Sequence, residues 1–379
     1  MTKCKVLFLI ESFAGGGAER VLTTLVQHIN KEKFDVTVCT ISGGGKYEGV
    51  VRENVKYYAI LNEPVDKNRL SILWYKVKHH LVYQWLPLSL VYRLFVPQGN
   101  DVEVAYVEGF TTKLLSHSIN KKARKYAWVH CNMQMDHWTT SVYASLDEET
   151  QTYNKYDKIL SVSNTAVKGF ENVLSKVNVD RSVIYNPINS QEIKIMATEE
   201  VLIKHKRPLL VTVGRLEYQK GYDRLVQIVK RLIDEGYEFE LWIIGIGSQE
   251  GQLKQYIQEN HINDYVKLLG FHTNPYKYIV QGDLFVCSSR SEGYSTAVTE
   301  ALILGLPVIT TDCSGMAELL KDGECGIITE NDEGAFYEGV KRLLKDAALL
   351  EYYREKAVER GNDFTIESLM KPIENILLG

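Results

Sequence analysis

The strongest constraint on the fold is a repeated alternation of short apolar runs with longer segments of helical periodicity. Residues 6–10 and 36–40 are apolar and strand-like, and residues 18–30 between them have the spacing of a helix. The same order returns in the second half of the chain, at residues 209–213, 222–233 and 239–244. A strand, a helix and a second strand in this order form a parallel βαβ unit. The alternation therefore predicts α/β architecture, with parallel sheets covered by helices on both faces.

The alternation is interrupted by a polar stretch at residues 186–206 and restarts near Pro208. A chain of 379 residues is long for one domain and sufficient for two, each with its own apolar core. We place the hinge at residues 187–191. This predicts a first domain over residues 1–189 and a second domain that begins at residue 190.

The most informative local motif is a strand that runs into a glycine loop and then into a helix. Residues 283–287 are short and apolar, as in a buried strand. Glu292 and Gly293 follow, which places them at the carboxyl edge of the sheet, where open α/β folds bind ligands. Either Ser295 or Thr296 can cap the helix that comes next.

Two carboxylates flank the start of that helix, because Glu292 lies in the loop and Glu300 lies inside the helix. The free N–H groups and the positive end of the helix dipole favour a phosphate at this point. Carboxylates on either side can accept hydrogen bonds from hydroxyl groups. A phosphate flanked by hydroxyl groups describes a nucleotide sugar.

These residues also carry a resemblance to a known family. Two glutamates separated by seven residues at a helix start, then Ala301-Leu302 and Gly305-Leu306-Pro307-Val308, resemble the signature of retaining glycosyltransferase family four. The resemblance is to the members that build bacterial surface polysaccharides and lipid-linked saccharides. Further matching segments follow in the expected order, at residues 15–20, 214–216, 220–221, 245–247 and 312–318.

The resemblance implies the GT-B fold, in which two doubly wound parallel-sheet, Rossmann-like domains face each other across a cleft. In similar proteins the last helix crosses back to the first domain. Here this implies that residues 364–379 join the first domain and that the second domain spans residues 190–363. By the same resemblance, the first domain binds the acceptor and the second binds the donor.

The implied activity is transfer of a hexosyl or N-acetylhexosaminyl group from a nucleotide sugar to a saccharide acceptor, with retention of the anomeric configuration. A lipid-linked saccharide is the favoured acceptor, and UDP is favoured over GDP because it is more frequent in the family. Two alternatives stay open. A GT-B sugar-nucleotide epimerase would share the cleft without an acceptor, and a non-catalytic subunit would bind the nucleotide sugar without turnover.

The expected donor site uses protein cations in place of a metal, since the sequence has no Asp-x-Asp triplet. We therefore expect no cofactor and no required metal ion. Arg215 and Lys220 follow the first strand of the second domain and are expected to bind the donor diphosphate. The alternative is a surface ion pair with Glu217 or Asp223.

The resemblance implies that Glu292 binds hydroxyls of the transferred sugar and that Glu300 binds the ribose. The full set of expected donor-binding residues is Gly16, Gly17, Gly214, Arg215, Lys220, Gly245, Gly247, Glu292, Gly293, Tyr294, Ser295, Thr296, Ala297 and Glu300. The glycines allow close approach of the backbone to a diphosphate, although glycine turns also join strands to helices in many folds.

On the acceptor side, His130 ends an apolar run and Glu108 follows another, so both are expected at the edge of the first sheet. The family has a histidine at the comparable strand end, near the anomeric centre. We therefore expect His130, Glu292, Arg215 and Lys220 to be catalytic, and Glu108 and His130 to bind the acceptor. The expected reaction is front-face attack without a covalent intermediate.

Charge is distributed unevenly along the chain. Residues 1–190 carry 23 Lys and Arg against 18 Asp and Glu, a net charge of +5, whereas the remainder carries −9 and brings the total to −4. Basic and aromatic residues are concentrated at residues 67–95, and residues 121–125 add a basic run. These segments suit an anionic membrane surface, and the alternative is an ordinary solvated helix face. The chain as a whole has a net negative charge, and its sequence has no recognised nucleic-acid-binding motif, so a nucleic-acid partner is not expected.

We expect a cytoplasmic protein that attaches peripherally to the inner face of the plasma membrane. The first apolar run is too short for a signal peptide, and no run is long enough to span a bilayer. The six cysteines show no paired or CxxC spacing, so reduced thiols are expected.

Overall fold

The computed structural model describes residues 2–62 and 68–379. The chain divides into two compact units. Unit 1 consists of Met1–Ile188 together with Ile366–Gly379, and unit 2 is Asn189–Thr365. The assignment of the acceptor to the first domain and of the donor to the second stays a prediction.

Unit 1 is built on one parallel sheet. Its strands are β1 (Cys4–Ile10), β2 (Phe34–Ser42), β3 (Lys56–Leu61), β4 (Val102–Ala105), β5 (Arg124–Val129), β6 (Lys158–Ser161) and β7 (Arg181–Val183). They lie in the order β3-β2-β1-β4-β5-β6-β7. The helices between them are α1 (Gly17–His28), α2 (Glu48–Asn54), α3 (Arg69–His80), α4 (Leu88–Phe95), α5 (Phe110–Leu115), α6 (Leu146–Tyr153) and α7 (Asn164–Val173). A π-helical turn, Leu81–Trp85, follows α3 directly.

Unit 2 repeats this architecture. Its strands are β8 (Leu209–Val213), β9 (Glu240–Ile244), β10 (Val266–Gly270), β11 (Leu284–Cys287), β12 (Val308–Thr311) and β13 (Ile327–Thr329), in the order β10-β9-β8-β11-β12-β13. Its helices are α8 (Ser190–Ala197), α9 (Tyr222–Asp234), α10 (Glu250–Glu259), α11 (Tyr276–Ile279), α12 (Thr296–Ile303), α13 (Met316–Leu319), α14 (Glu333–Lys345) and α15 (Ala347–Gly361).

The sequence pattern explains these elements. The central strands β8 and β9 are rich in Leu, Val and Ile and are buried along almost their whole length, as expected for parallel strands covered on both faces. Helix α9 buries Leu225, Val229 and Leu232, whose spacing places them on one face. The prediction of two doubly wound parallel-sheet domains is confirmed.

The last helix, α16 (Ile366–Leu378), belongs to unit 1 rather than to the unit that precedes it in sequence. It buries Met370, Ile373 and Leu377. Arg124 Nη2 donates a hydrogen bond to the carbonyl of Leu377 at 2.7 Å. The C-terminal segment is therefore part of the first core.

Each sheet has a position where the strand order reverses. It lies between β1 and β4 in unit 1, and between β8 and β11 in unit 2. Open α/β sheets bind ligands outside the carboxyl ends of the strands at this switch point, because the two flanking loops turn away from each other there. The residues that follow β1, β4, β8 and β11 are therefore the candidates for ligand binding.

Among the described residues, none of the helices has both the length and the apolar composition that crossing a membrane requires.

Candidate functional site

The centre of the candidate site is an ion pair at the switch point of unit 2. Lys220 follows β8 and Glu292 follows β11, and Lys220 Nζ lies 2.6 Å from Glu292 Oε1. Their side chains are 20% and 9% exposed. Burial lowers the pKa of the Lys220 ammonium, but the charge and the hydrogen bond of Glu292 outweigh it, so the pKa is raised overall. Lys220 is therefore a fully charged cation at neutral pH.

Ser289 completes this centre, and sequence reasoning did not assign it. Its hydroxyl donates to Glu292 Oε1 at 2.6 Å, on the same oxygen that Lys220 contacts. Among the residues described, no hydrogen bond ends on Glu292 Oε2. The position of Ser289, three residues before Glu292 in the loop, is the signal that could have indicated it.

The backbone of this loop is held by a buried arginine that the sequence analysis also missed. The Arg224 guanidinium, on α9, donates to the carbonyls of Ser288 and Ser289 at 2.6–2.9 Å. Gln219 Nε2 donates to the carbonyl of Ser291 at 3.0 Å, and the backbone N–H of Arg290 donates to the carbonyl of Gln219 at 2.7 Å. The two loops that carry Lys220 and Glu292 are thus fixed to each other.

Helix α12 begins directly after the glutamate loop. Ser295 is its N-cap, and its hydroxyl accepts a hydrogen bond from the Val298 N–H at 3.4 Å. Of the two expected caps, Ser295 is therefore the one used, and Thr296 is the first helical residue. Glu300 lies one turn into the helix and is 2% exposed. Lys220, Glu292, Ser295 and Ala297 line one pocket.

Arg215 is exposed, and the ion pairs considered as its alternative role are absent from the described residues. The Glu217 carboxylate accepts hydrogen bonds from the N–H and the hydroxyl of Ser248, and Asp223 pairs with Arg290 at 2.7 Å. These Ser248 bonds, together with the charge of Arg215, lower the pKa of Glu217. Glu217 and Asp223, the two carboxylates of the alternative ion pair, thus bind other groups.

The glycines of the second expected loop are required by backbone packing. A Cβ on Gly245 would lie 1.9 Å from the carbonyl oxygen of Gly214, and a Cβ on Gly247 would lie 2.5 Å from that of Leu216. Gly245 also has φ +143°, which side chains rarely adopt. These residues hold the loop after β8 against the loop after β9. Their predicted contact with a nucleotide remains a prediction.

The glycine loop of unit 1 already binds a carboxylate of the chain itself. Gly15 N–H and Gly16 N–H both donate to Glu19 Oε2, the latter at 2.9 Å, and Gly16 caps α1. Gly17 is the first residue of α1. A donor phosphate that bound Gly16 and Gly17, as predicted, would have to displace the Glu19 carboxylate from this loop or bind beside it.

Glu108 and His130 lie together at the carboxyl edge of unit 1. They follow the neighbouring strands β4 and β5, and the backbone N–H of His130 donates to Glu108 Oε2 at 3.1 Å. The His130 ring packs on Tyr106 and Trp128, with centroids 4.9 and 5.9 Å apart. Its Nε2 is buried and has no hydrogen-bond partner among the described residues. Burial lowers the pKa of His130 to about 4, against the opposing charge of Glu108.

This depressed pKa predicts a pH dependence of stability. Between the unfolded pKa of about 6.5 and the folded pKa of about 4, the unfolded chain binds a proton that the folded chain does not. The stability contribution is therefore present above pH 6.5 and is lost as the pH falls toward 4. Between pH 7 and pH 5 the wild-type free energy of unfolding should fall by about 2 kcal/mol through this imidazole, and His130→Gln should not show this part of the fall.

Urea unfolding of wild type and His130→Gln at pH 7 and pH 5 measures this difference. His80→Gln, at an exposed imidazole, serves as the control and should keep the wild-type pH dependence. Equal losses of stability in His130→Gln and wild type would contradict the assignment of a buried neutral imidazole.

No group of three or more His, Cys, Asp or Glu side chains among residues 2–62 and 68–379 is arranged to hold a metal ion. All six cysteines are free thiols.

Comparison with known proteins finds a family match within unit 2. Residues 196–360 match the family described as glycosyl transferases group 1. This segment contains Arg215, Lys220, Glu292 and Glu300, and it covers most of Asn189–Thr365. Unit 2 is therefore similar to this glycosyltransferase family over most of its length.

Curated relatives match along nearly the whole chain. N-acetylgalactosamine-N,N'-diacetylbacillosaminyl-diphospho-undecaprenol 4-alpha-N-acetylgalactosaminyltransferase of Campylobacter jejuni is 27% identical and covers 99% of this chain and 100% of its own. The amylovoran biosynthesis glycosyltransferase AmsD of Erwinia amylovora is 24% identical over 98% of this chain and 99% of its own. The chain is thus similar throughout to bacterial glycosyltransferases.

Solved structures show the fold. The Anabaena protein HepE, determined in complex with UDP and glucose, aligns with a TM-score of 0.76 at 16% identity. The alignment covers 99% of this chain and 100% of that one. The two α/β units therefore have the GT-B fold, as predicted.

Proposed function

We propose that this chain is a retaining, metal-independent glycosyltransferase that moves a hexosyl or N-acetylhexosaminyl group from a UDP-sugar to a lipid-linked saccharide. The observation that carries the proposal is the Lys220–Glu292 pair, 2.6 Å apart, at the switch point of unit 2. A cation suited to a diphosphate lies beside a carboxylate suited to sugar hydroxyls, next to the start of α12. The family match of unit 2 supports the same activity.

The proposed donor site assigns a role to each group. Lys220 and the exposed Arg215 bind the diphosphate, and the N–H groups at the start of α12 add partial positive charge. Glu292 Oε2 accepts a hydrogen bond from a hydroxyl of the transferred sugar, while Lys220 and Ser289 hold Oε1. Glu300 binds the ribose. UDP is proposed as the nucleotide because HepE was determined with UDP.

The proposed reaction is a front-face displacement. The bond between the anomeric carbon and the leaving phosphate oxygen breaks as the acceptor oxygen bonds to the same face of that carbon. The acceptor proton passes to the leaving phosphate oxygen, and the cations Arg215 and Lys220 stabilise the charge that develops on the diphosphate. Glu292 positions the sugar and forms no covalent bond with it.

The acceptor is proposed to be a saccharide on a lipid diphosphate. The Campylobacter relative is named for an undecaprenol-diphosphate acceptor. Glu108 and His130 are proposed as acceptor-binding residues of unit 1. Burial lowers the pKa of His130 to about 4, so its imidazole is neutral at neutral pH and can hydrogen-bond an acceptor hydroxyl as an uncharged group.

Such an acceptor would be embedded in a membrane, and α3 has a surface suited to one. Leu73 and Trp74 lie about one helical turn after Leu70, on the same side of α3, and the three side chains are 57%, 71% and 71% exposed. Trp85 in the π-helical turn is 62% exposed. Among the described residues of this region, Arg69, Lys76 and Arg93 are exposed cations. Apolar side chains among exposed cations match an anionic bilayer, which we propose as the partner of this surface.

Tyr92 and Arg124, in the predicted basic and aromatic segments, differ from that expectation, and Lys67 is not among the described residues. Tyr92 is fully buried, since its hydroxyl donates to the buried carboxylate of Glu103. Arg124 contacts α16 instead of solvent. The membrane proposal therefore rests on α3, the π-helical turn and α4.

Removing the apolar face of α3 should weaken membrane binding by at least tenfold. The double variant Leu70→Ser, Trp74→Ser loses two side chains whose burial in the interface contributes about 1 kcal/mol or more each. Flotation with vesicles that contain phosphatidylglycerol, at low salt, measures the bound fraction. The matched control is Leu202→Ser, Tyr352→Ser, which removes two exposed side chains of unit 2. A wild-type protein that fails to float would contradict the membrane proposal.

The activity itself is tested with UDP-sugars and a synthetic short-chain polyprenyl-diphospho-N-acetylgalactosamine, with EDTA present. The proposal predicts release of UDP, a longer saccharide, and the same anomeric configuration in donor and product by NMR. Release of an epimerised nucleotide sugar without an acceptor would identify an epimerase. Donor binding without any turnover would identify a non-catalytic subunit.

A further inference from the structure

Glu11 is the first residue after β1, so it lies at the switch point of unit 1. Glu108 lies at the same switch point, after the neighbouring strand β4. The two strands are paired directly, with Leu9 opposite Ala105. Unit 1 therefore presents a carboxylate after each of the two strands where an open sheet binds its ligand. Sequence reasoning assigned Glu108 and overlooked Glu11.

The surroundings of Glu11 are neutral. Its carboxylate accepts a hydrogen bond from the Tyr83 hydroxyl, and within residues 2–62 and 68–379 no other hydrogen bond and no ion pair reaches it. Burial raises the pKa of Glu11, and the Tyr83 hydrogen bond opposes that effect. A half-buried carboxylate with one neutral partner keeps most of its capacity as a hydrogen-bond acceptor.

Other carboxylates of the chain have more hydrogen-bond partners. Glu149 accepts from His137 and Thr139, and Glu240 accepts from Lys267 and the Lys206 N–H. Glu103 accepts from Tyr92 and Asn120 on one oxygen, and its other oxygen is buried without a partner. Glu11 instead lies at a ligand-binding edge with a single neutral partner, so it keeps acceptor capacity that a ligand hydroxyl can use.

The structure also holds Glu11 in a defined position. Tyr83 belongs to the π-helical turn, a type of distortion that is frequent at functional sites. Its ring packs between the His79 ring at 4.5 Å and the Phe110 ring at 4.4 Å. The hydroxyl that contacts Glu11 is therefore fixed from both α3 and α5.

We propose that Glu11 is an acceptor-binding residue whose carboxylate accepts a hydrogen bond from a hydroxyl of the acceptor saccharide, while Tyr83 positions it. This rests on the proposed glycosyltransferase function. The chemistry selects the sugar rather than the diphosphate of the acceptor, because an anionic carboxylate without a paired cation repels phosphate and attracts a hydroxyl donor. Tyr83 is a positioning residue, and it joins Glu11 to the segment that carries the exposed face of α3.

The test compares Glu11→Gln, Tyr83→Phe and a matched control, Glu48→Gln. Glu48 is also half-buried in unit 1 and accepts a hydrogen bond from a tyrosine, Tyr57, but it is paired with Arg52 and follows β2, away from the switch point. Turnover is measured with the polyprenyl-diphospho-N-acetylgalactosamine probe. Thermal unfolding of each variant, and calorimetric titration with UDP, report folding and the donor site separately.

Glu11→Gln should raise the KM for the probe about 10-fold, since a charge-assisted hydrogen bond becomes a neutral one, with UDP affinity and donor KM unchanged. Tyr83→Phe should raise the same KM less, and Glu48→Gln should leave it unchanged. An unchanged acceptor KM in Glu11→Gln, or a loss of stability and UDP affinity alongside kcat, would overturn the inference by showing a structural role. If wild type binds the probe in a Glu11-dependent manner without turnover, the acceptor site stands and the transferase proposal fails. Wild type that binds UDP but does not bind the probe would overturn the acceptor assignment.

Discussion

Replacing Lys220 by alanine is expected to lower kcat/KM for the donor by about 10²- to 10³-fold and to weaken UDP binding by about 10-fold or more. The ammonium is the cation proposed to meet the leaving diphosphate. The change also leaves the Glu292 carboxylate, 9% exposed, without its opposite charge. Release of UDP in the turnover assay, together with calorimetric titration, measures both effects.

The control is Lys254→Ala on α10, which removes an exposed ion pair with Glu250 in the same unit and should change neither quantity. The double variant Lys220→Ala, Glu292→Gln separates the two roles of the lysine. It should recover part of the stability lost in Lys220→Ala, because the uncompensated buried charge is gone, but none of the turnover. Full turnover in Lys220→Ala would remove the basis of the proposed donor site.

Gly245→Ala is expected to destabilise the protein by about 2–4 kcal/mol. The new Cβ would lie 1.9 Å from the carbonyl oxygen of Gly214, and its backbone has φ +143°. The loop after β9 would have to move away from the loop after β8, which leads to Lys220. We therefore expect weaker UDP binding in the same variant.

Gly251→Ala provides the matched control for the glycine substitution. Gly251 lies in α10, where a Cβ would meet no atom within 4 Å, so alanine should be neutral or stabilising by up to about 1 kcal/mol. Urea unfolding of the two variants measures the difference. Equal stabilities would show that the contact between the Gly214 and Gly245 loops is not a constraint on the fold.

The fold could be predicted from sequence because its signal is local. The run at residues 209–213 coincides with β8, and the helix expected at residues 222–233 ends one residue later in α9. Apolar periodicity reports burial on one or two faces within a few residues. The order of elements then leaves few ways to arrange parallel strands.

The pairing within the site could not be predicted in the same way. Lys220 and Glu292 were assigned separate partners in a ligand, whereas they bind each other in the structure. They are 72 residues apart in sequence, and only the adjacency of β8 and β11 in the sheet brings them together. Ser289 and Arg224 were missed for the same reason, since neither residue type indicates its role without the fold around it.

Glu11 and Tyr92 show two further limits. Glu11 directly follows the first apolar run, but its partner Tyr83 comes from a π-helical turn that has no clear sequence signal. Tyr92 stands among basic and aromatic residues, yet it is buried because Glu103, inside β4, offers its hydroxyl a partner. In both cases a tyrosine hydroxyl donates to a carboxylate of another segment, and the sequence around the tyrosine does not indicate that partner.

The proposed donor site binds a nucleoside diphosphate through protein cations without a metal. Calorimetric titration of the purified protein with UDP and with GDP, each in the presence of EDTA, measures this binding. We expect that UDP binds without metal, that GDP binds more weakly, and that Lys220→Ala loses most of the UDP affinity. Binding of neither nucleotide, or binding only after a divalent ion is added, would contradict the proposed diphosphate site.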